Sequence, residues 1–261
     1  MSLLRIPRSS YYYRHKCNAG AFWESRVEDE ILDIYLDTPF YGVRRVTEAL
    51  RRRNMPVNHK RVARLRRRMG LNTICPRPRF NTSEPSPAHE KYPYLLRGME
   101  ITRPNQVWST DITYTSVGGH RAYVIGILDW YSRKVLSYSV VNTMDAYSCI
   151  ETLNLALERF GQPEIFNSDQ GSQFTSAEFL GVLRERRIQI SMDGRGRCRD
   201  NARMERFWWS LKYEDIKIRD YVSLPQLRRG VQSYVNFYNG VRPHQALHYK
   251  TPDSVYFTGK E

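Results

Sequence analysis

The side chains in this chain that could do chemistry are carboxylates, and three of them stand where a carboxylate is out of place or free to ligate. Asp111 lies inside Gln106-Val107-Trp108-Ser109-Thr110-Asp111-Ile112-Thr113-Tyr114, a run of β formers. Asp is disfavoured in such a strand, and a buried carboxylate without partners is costly. Asp169 ends a short strand and precedes Gln170-Gly171-Ser172, a loop that permits close approach of backbone or ligand. Glu205 falls one turn into a helix opened by Asp200-Asn201, either of which can cap it. Strand centre, strand end and helix face can meet at one point. Three carboxylates brought together repel one another unless a cation sits between them, and hard oxygen ligands favour Mg²⁺ or Mn²⁺ over zinc. Two such ions about 3.5–4 Å apart would activate an attacking oxygen and stabilise the leaving one in an in-line displacement at phosphorus. Water as attacker gives strand nicking; a DNA 3′-hydroxyl gives strand joining. Other acids compete for these roles, among them Asp129, Asp145, Asp193, Asp200 and Asp220. Asp200 suits a helix cap and Asp193 a turn with Gly194. Asp129 is the strongest rival, because it follows a buried apolar run, although it can instead bond the Ser132-Arg133 turn.

The elements that must position these groups follow from hydrophobic pattern. After Val107–Tyr114, Gly118-Gly119 makes a hairpin turn into the apolar run Ala122–Leu128, and Tyr131–Lys134 turns into a third strand, Val135–Val141. Residues 145–160 read as an amphipathic helix through Ile150, Leu153, Leu157 and Phe160. Glu164–Asp169 is a short strand, 176–187 a helix, Ile188–Met192 a strand and 201–214 a helix. Three antiparallel strands followed by alternating helix and strand predict an α/β fold with a mixed sheet, in the order of a ribonuclease H-like core. This core is placed at 105–222, with a C-terminal helix and tail at 223–261.

The N-terminal part is different. Within 44–79 there are 13 basic residues and one acid, Glu48. Such a block attracts a polyanion, because neutralising phosphates releases counterions. Its basic residues alternate with apolar ones at helical spacing: Val27, Ile31, Ile34 and Tyr35; then Val43, Val46 and Leu50; then Val62, Leu65 and Met69. Thr38-Pro39 closes the first of these helices, Asn54-Met55-Pro56 separates the second from the third, and Asn58 is a candidate N-cap. A basic third helix bearing Lys60, Arg61, Arg64, Arg66, Arg67 and Arg68, with Arg44 and Arg45 on the second, suits either a helix-turn-helix in a major groove or a small bundle whose charges face water. The all-α unit is placed at 24–74, after an N-terminal segment 1–23. Six prolines between 75 and 104 predict a linker.

The remaining composition excludes more than it identifies. A net charge of +14 points to nucleic acid, while no apolar run is long enough for a membrane span or a signal peptide, which predicts a cytosolic protein. Cys17, Cys75, Cys149 and Cys198 are far apart, so free thiols are expected rather than disulfides or a zinc site.

The motifs together carry a resemblance. Asp169 and Glu205 are separated by 35 residues, and Lys212 follows Glu205 by two helical turns, on the same face. This is similar to the Asp, Asp, 35-residue gap, Glu signature, with trailing Lys, of retroviral integrases and related transposases. The chain more closely resembles insertion-sequence transposases of the IS-three type, the product of their second reading frame. The likeness spans Ser9–Tyr13, Tyr41–Val46, Trp108–Tyr114, Asn167–Phe174, Asp200–Glu214 and Tyr238–Leu247. It implies that Asp111, Asp169 and Glu205 ligate a two-ion Mg²⁺ or Mn²⁺ site, and that Lys212 touches donor-end DNA rather than pairing with Glu205 or Asp215. It further implies double-stranded DNA as partner, a homo-oligomeric synaptic complex, association with the nucleoid, and a first-frame product or its frameshift fusion as helper. No leucine heptad of the kind that first frame supplies occurs here. Arg195, Arg197 and Arg199 suggest a basic loop beside the site, and His244 suits a role in orienting the C-terminal segment better than that of a base. Trp208 and Trp209 suit core or interface packing, with base stacking as the alternative. Two other functions compete with strand transfer: a metal-dependent nuclease that cannot join strands, and a non-catalytic DNA-binding regulator.

Overall fold

The computed structural model describes residues 19–74, 92–193 and 201–259. The chain divides into two compact units, meeting in sequence at Cys75 and Pro76.

The first unit has helices α1 (Ala19–Asp37), α2 (Val43–Arg52) and α3 (His59–Arg68). Val27, Ile31, Ile34, Val46, Leu50, Val62 and Leu65 are buried, so the expected apolar faces form the core. Thr38 N–H donates to the Ile34 carbonyl and ends α1. Asn54 ends α2 in a left-handed conformation, with Met55 N–H reaching back to the Leu50 carbonyl. The Asn58 side chain accepts from Lys60 N–H and caps α3 as its sequence position predicts. Arg66 departs from the surface role expected of it. It is buried, and its guanidinium donates to the Tyr41 carbonyl at 2.8 Å and the Thr73 hydroxyl at 3.2 Å, fastening the end of α3.

The second unit is a five-stranded mixed sheet in the order β3-β2-β1-β4-β5. Its strands are β1 (Val107–Val117), β2 (His120–Asp129), β3 (Val135–Val141), β4 (Ile165–Ser168) and β5 (Gln189–Met192). The first three pair antiparallel, and β4 and β5 run parallel to β1. Alternation along the strands builds two apolar layers. Trp108, Ile125, Ile127 and Phe166 meet α4 (Ala146–Phe160) and α5 (Ala177–Glu185). Val107, Val117, Val124 and Leu128 meet α6 (Ala202–Leu211) and α8 (Leu224–Gly240).

Two boundaries shift relative to the sequence expectation. Leu96 is buried in the second layer, and Leu95 N–H donates to the Ser191 hydroxyl, so the stretch from 92 to 104 packs on the core instead of bridging to it. Leu227, Val231, Tyr234, Val235 and Tyr238 of α8 also belong to that layer, which therefore runs past residue 222. The helix expected through 214 changes character at Lys212, continuing as a π turn, Lys212–Ile216, into α7 (Lys217–Arg219). The wider turn lets both Glu214 and Asp215 point inward. The final helix, α9 (Pro252–Thr258), places Tyr256 in the other layer.

Glu214 is the acid of a buried ion pair. Arg242 donates to both of its carboxylate oxygens at 2.6 and 2.7 Å, and the Tyr234 hydroxyl donates to one of them at 2.8 Å. Arg242 also reaches the Ser210 hydroxyl at 3.3 Å. Ser210 lies on α6 and Tyr234 on α8, so this pair clamps the end of α6 to the last long helix. Cys149 is free and buried; the other three cysteines lie outside the described residues. No helix among the described residues is long and apolar enough to cross a membrane.

Removing one partner of a buried pair leaves an uncompensated charge, at a cost of about 3–5 kcal/mol. Arg242→Ala is expected to lose roughly that much stability in urea unfolding followed by tryptophan fluorescence. Arg242→Met with Glu214→Leu should recover most of it.

Candidate catalytic site

Asp111 lies on β1 facing α6, the parity shared by Val107 and Val117. Its antiparallel partner across to β2 is Gly126. A Cβ at Gly126 would lie 2.8 Å from Met204 Cε and 2.9 Å from Trp208 Cη2. The glycine therefore lets α6 lie close against the sheet. From there Trp208 Nε1 donates to Asp111 Oδ2 at 2.9 Å, while Ile112 N–H donates to Oδ1 at 2.8 Å.

Asp169 is brought in by parallel pairing. Ser109 pairs with Asn167, the last rung of that ladder, and the register continued two residues carries Asp169 towards Asp111, near enough for its charge to act on it. Gly171 N–H donates to Asp169 Oδ1 at 2.9 Å. Burial first, and then the Asp169 charge, raise the Asp111 pKa to about 7, against the pull of its two donors. The crowding around Asp169 raises its pKa too, opposed by the Gly171 bond.

Glu205 stands on α6 between two anchors. One turn before it, Asn201 Nδ2 donates to the Thr110 carbonyl at 3.2 Å; one turn after it, Trp208 reaches Asp111. Asn201 occupies the N-cap position, yet its side chain ties the helix to β1 instead of capping it. Glu205 is exposed, with its pKa raised by partial desolvation. Among the described residues no three His, Cys, Asp or Glu side chains converge closely enough to hold a metal as they stand. The structure thus joins Asp111 to Asp169 and sets Glu205 on the facing helix, outside that pair. The donor set suits a divalent cation: two like charges near each other, with only oxygen atoms to offer.

Lys212 is half-buried, with Nζ 5.2 Å from the centre of the Tyr114 ring. Burial and then Lys217 lower its pKa, while Asp111 raises it. Asp215 is engaged elsewhere, by Arg219 and the Tyr221 hydroxyl.

The rival acids have structural employment. Asp129 is fully buried and accepts from Asn105 N–H, Ser132 N–H and the Ser132 hydroxyl at 2.8, 2.8 and 2.6 Å. Asp145 caps α4 through Ser148 N–H, and Asp193 accepts from Asn167 Nδ2 at 2.8 Å. Asp200, Arg195, Arg197 and Arg199 lie outside the described residues. His244 is buried between Tyr238, whose ring it meets edge-on at 4.5 Å, and Arg242. In the first unit, Arg64 and Arg68 pair with Glu24 and Glu28 of α1, and Arg45 lies over the Tyr41 ring. Arg44, Lys60, Arg61 and Arg67 are exposed. Two contributors escaped the sequence reading: the Trp208 bond to Asp111, and Gly126, whose place inside an apolar strand was itself the signal of a close approach.

A mixed sheet with paired acids at its centre, preceded by a three-helix basic unit, defines a DNA-processing enzyme core with a helix-turn-helix-like module. Integrase core domain models match residues 101–198 and 186–252, and an HTH-like domain model matches 23–79. In fold, the chain is similar to a chain of the simian T-cell lymphotropic virus intasome, at a TM-score of 0.54 and 18% identity, covering 66% of this chain and 60% of that one. In sequence it is 31% identical to InsK, a transposase of insertion sequence element IS150 from Escherichia coli K12, over 95% of this chain and 88% of the relative. It is 30% identical to InsF, the transposase of IS3A from the same organism, over 93% and 87%. The chain belongs to this family of insertion-sequence transposases.

Because folding raises the Asp111 pKa from the ordinary carboxylate range to about 7, the neutral form is favoured in the native state. Its stabilising contribution is full below about pH 4 and lost as pH rises through 7. In EDTA, Asp111→Asn is therefore expected to be more stable than wild type at pH 8, on the order of 1–2 kcal/mol after allowing for solvent screening, with the difference gone near pH 4. Thermal melts at both pH values check this. Added Mg²⁺ should stabilise wild type at pH 8 and leave the variant unmoved.

Proposed function

We propose that this transposase cuts and joins DNA strands at the ends of its element, with Asp111, Asp169 and Glu205 as ligands of Mg²⁺ or Mn²⁺. The observation that carries this reading is the placement of Asp169 near Asp111 at the centre of the sheet, with Glu205 on the helix face between the Asn201 and Trp208 anchors. When bound, the metal supplies Lewis acidity to the attacking and leaving oxygens. The chain's own residues do the rest. Trp208 and Ile112 fix the Asp111 carboxylate from one side, leaving its remaining lone pairs open. Gly171 fixes Asp169 in the same way. Lys212, held over Tyr114, offers a cation to a DNA phosphate near the acids. Helix α3 offers Lys60, Arg61 and Arg67 to duplex DNA, joined by Arg44 from α2, while Arg64 and Arg68 hold α3 to α1. Two ends are brought together, on this reading, by a homo-oligomer of the chain.

Glu205→Gln is expected to abolish Mg²⁺-dependent nicking and joining of labelled element ends while DNA affinity stays at the wild-type level. Joining by the variant at the wild-type rate would remove Glu205 from the site, and nicking without joining by wild type would make the protein a nuclease. A second measurement separates the arginines of α3. Arg61→Gln with Arg67→Gln should flatten the salt dependence of duplex binding by about 0.9 per lost phosphate contact. Arg64→Gln with Arg68→Gln should flatten it less and lower the melting temperature of the first unit.

A further inference from the structure

A cavity of about 340 Å³ lies against Trp130, Tyr131 and Leu247, and its rim carries Arg133, Arg203, His248 and Lys250. The catalytic reading makes no use of it. Arg203 precedes Glu205 by two residues, about 200° round the helix axis, so the cavity opens on the opposite side of α6 from the acids.

Three features distinguish it from an ordinary basic surface. None of Arg133, Arg203, His248 and Lys250 is ion-paired to a carboxylate among the described residues. Arg203 stacks on the Trp130 ring at 4.4 Å, and Arg133 lines the same cavity. Two guanidiniums thus line one cavity. Secondly, the Trp130 indole N–H is buried and has no hydrogen-bond partner among the described residues. Thirdly, the rim is built on backbone that side chains rarely adopt. Arg133 has φ 62°, in the turn fastened to Asp129, and His248 and Tyr249 have φ 52° and 64°, in the loop pinned by His244 N–H to the Lys250 carbonyl. Such conformations cost energy and persist where the surroundings enforce them. The result is a cavity that joins cations to aromatic and aliphatic side chains, of about the volume of one nucleotide.

We infer that this cavity binds an unstacked nucleotide of a single DNA strand, its phosphate between Arg133 and Arg203 and its base against Trp130 and Leu247. The inference rests on the reading of the chain as a DNA strand-transferase, but concerns a separate surface. Strand cleavage at a duplex end leaves nucleotides that have lost their partners, and aromatic floors bind such bases with little regard to sequence. A strand engaged at both the acids and the cavity must bend round the first turn of α6.

The test uses the full-length protein and fluorescence anisotropy with three probes: an eight-nucleotide oligothymidine, the same backbone without bases, and a blunt 20-base-pair duplex. Arg133→Gln with Lys250→Gln is expected to weaken oligothymidine binding on the order of tenfold. Ala246→Trp, at an exposed position lining the cavity, keeps every charge but fills the cavity; with a melting temperature matching wild type, it should weaken oligothymidine, spare the duplex, and change the abasic probe little. Oligothymidine binding unchanged in both variants overturns the proposal, as does equal loss on oligothymidine and duplex. Strand nicking is measured in parallel. Nicking with a silent cavity removes the cavity alone, whereas a responsive cavity in a protein that never nicks DNA removes the transferase reading and keeps the cavity.

Discussion

A carboxylate in the middle of the central strand is the constraint around which the catalytic unit is organised. Strand β1 is the central strand, and Asp111 lies on it paired with Gly126 of β2, half-buried rather than on an outer strand. Its charge is opposed by burial and by Asp169, and supported by two hydrogen bonds. One of these, from Trp208, exists only because residue 126 has no side chain: any Cβ there would meet Met204 and Trp208 at under 3 Å. Three positions distant in sequence are therefore set by one group. The carboxylate needs the indole, the indole needs the glycine, and the glycine is fixed by the register that pairs it with the carboxylate.

The helix that supplies the indole needs its own support, because it is pressed against a polar centre. Its first turn is tied to Thr110 by Asn201. Its end is tied through Glu214 to Arg242, Tyr234 and α8. The π turn at Lys212–Ile216 belongs to this arrangement, since the extra residue turns Glu214 and Asp215 inward together. Each finds partners: the Arg242 fork for one, Arg219 and Tyr221 for the other. Residues around Tyr238–Leu247 thereby act on the site from a distance. They hold α6, and α6 holds Asp111 and presents Glu205.

Much of this was legible in the sequence, for physical reasons that differ by element. The strands were readable because β1 to β3 alternate and the hairpin glycines punctuate them, and Asn58 was readable as a cap because its chemistry is local. Asp111 stood out because it violates a strand's preference. The role of Trp208 was not legible, since an indole in an amphipathic helix packs apolar surface by default and its one polar contact depends on a partner 97 residues away. The burial of Arg66 is hidden for a related reason: an arginine among five other basic residues looks like surface, and only the tertiary approach of Tyr41 and Thr73 buries it. The stretch from 92 to 104 was hidden by its prolines, which exclude helix but do not exclude packing, as Leu96 shows.

The acids of the second unit can be sorted by how completely their oxygens are occupied, and the sorting agrees with the family signature without using it. Asp129 receives three donors and is sealed from solvent, so no lone pair of it can reach a cation without unmaking the turn before β3. Glu214 receives both arms of a guanidinium and a phenol. Asp145 is spent on a helix cap, and Asp193 accepts from Asn167. Among the described residues, Asp111 has one donor per oxygen, Asp169 one bond, and both are raised in pKa; Glu205, also raised, has no hydrogen-bond partner there. A carboxylate takes about four hydrogen bonds when satisfied. For Asp111, partial burial without that satisfaction is what a structural acid avoids, and the missing interactions are those a cation supplies; Asp169 and Glu205 are exposed beside it with oxygens to spare. Sequence pattern alone ranks Asp129 beside Asp111; donor occupancy separates them.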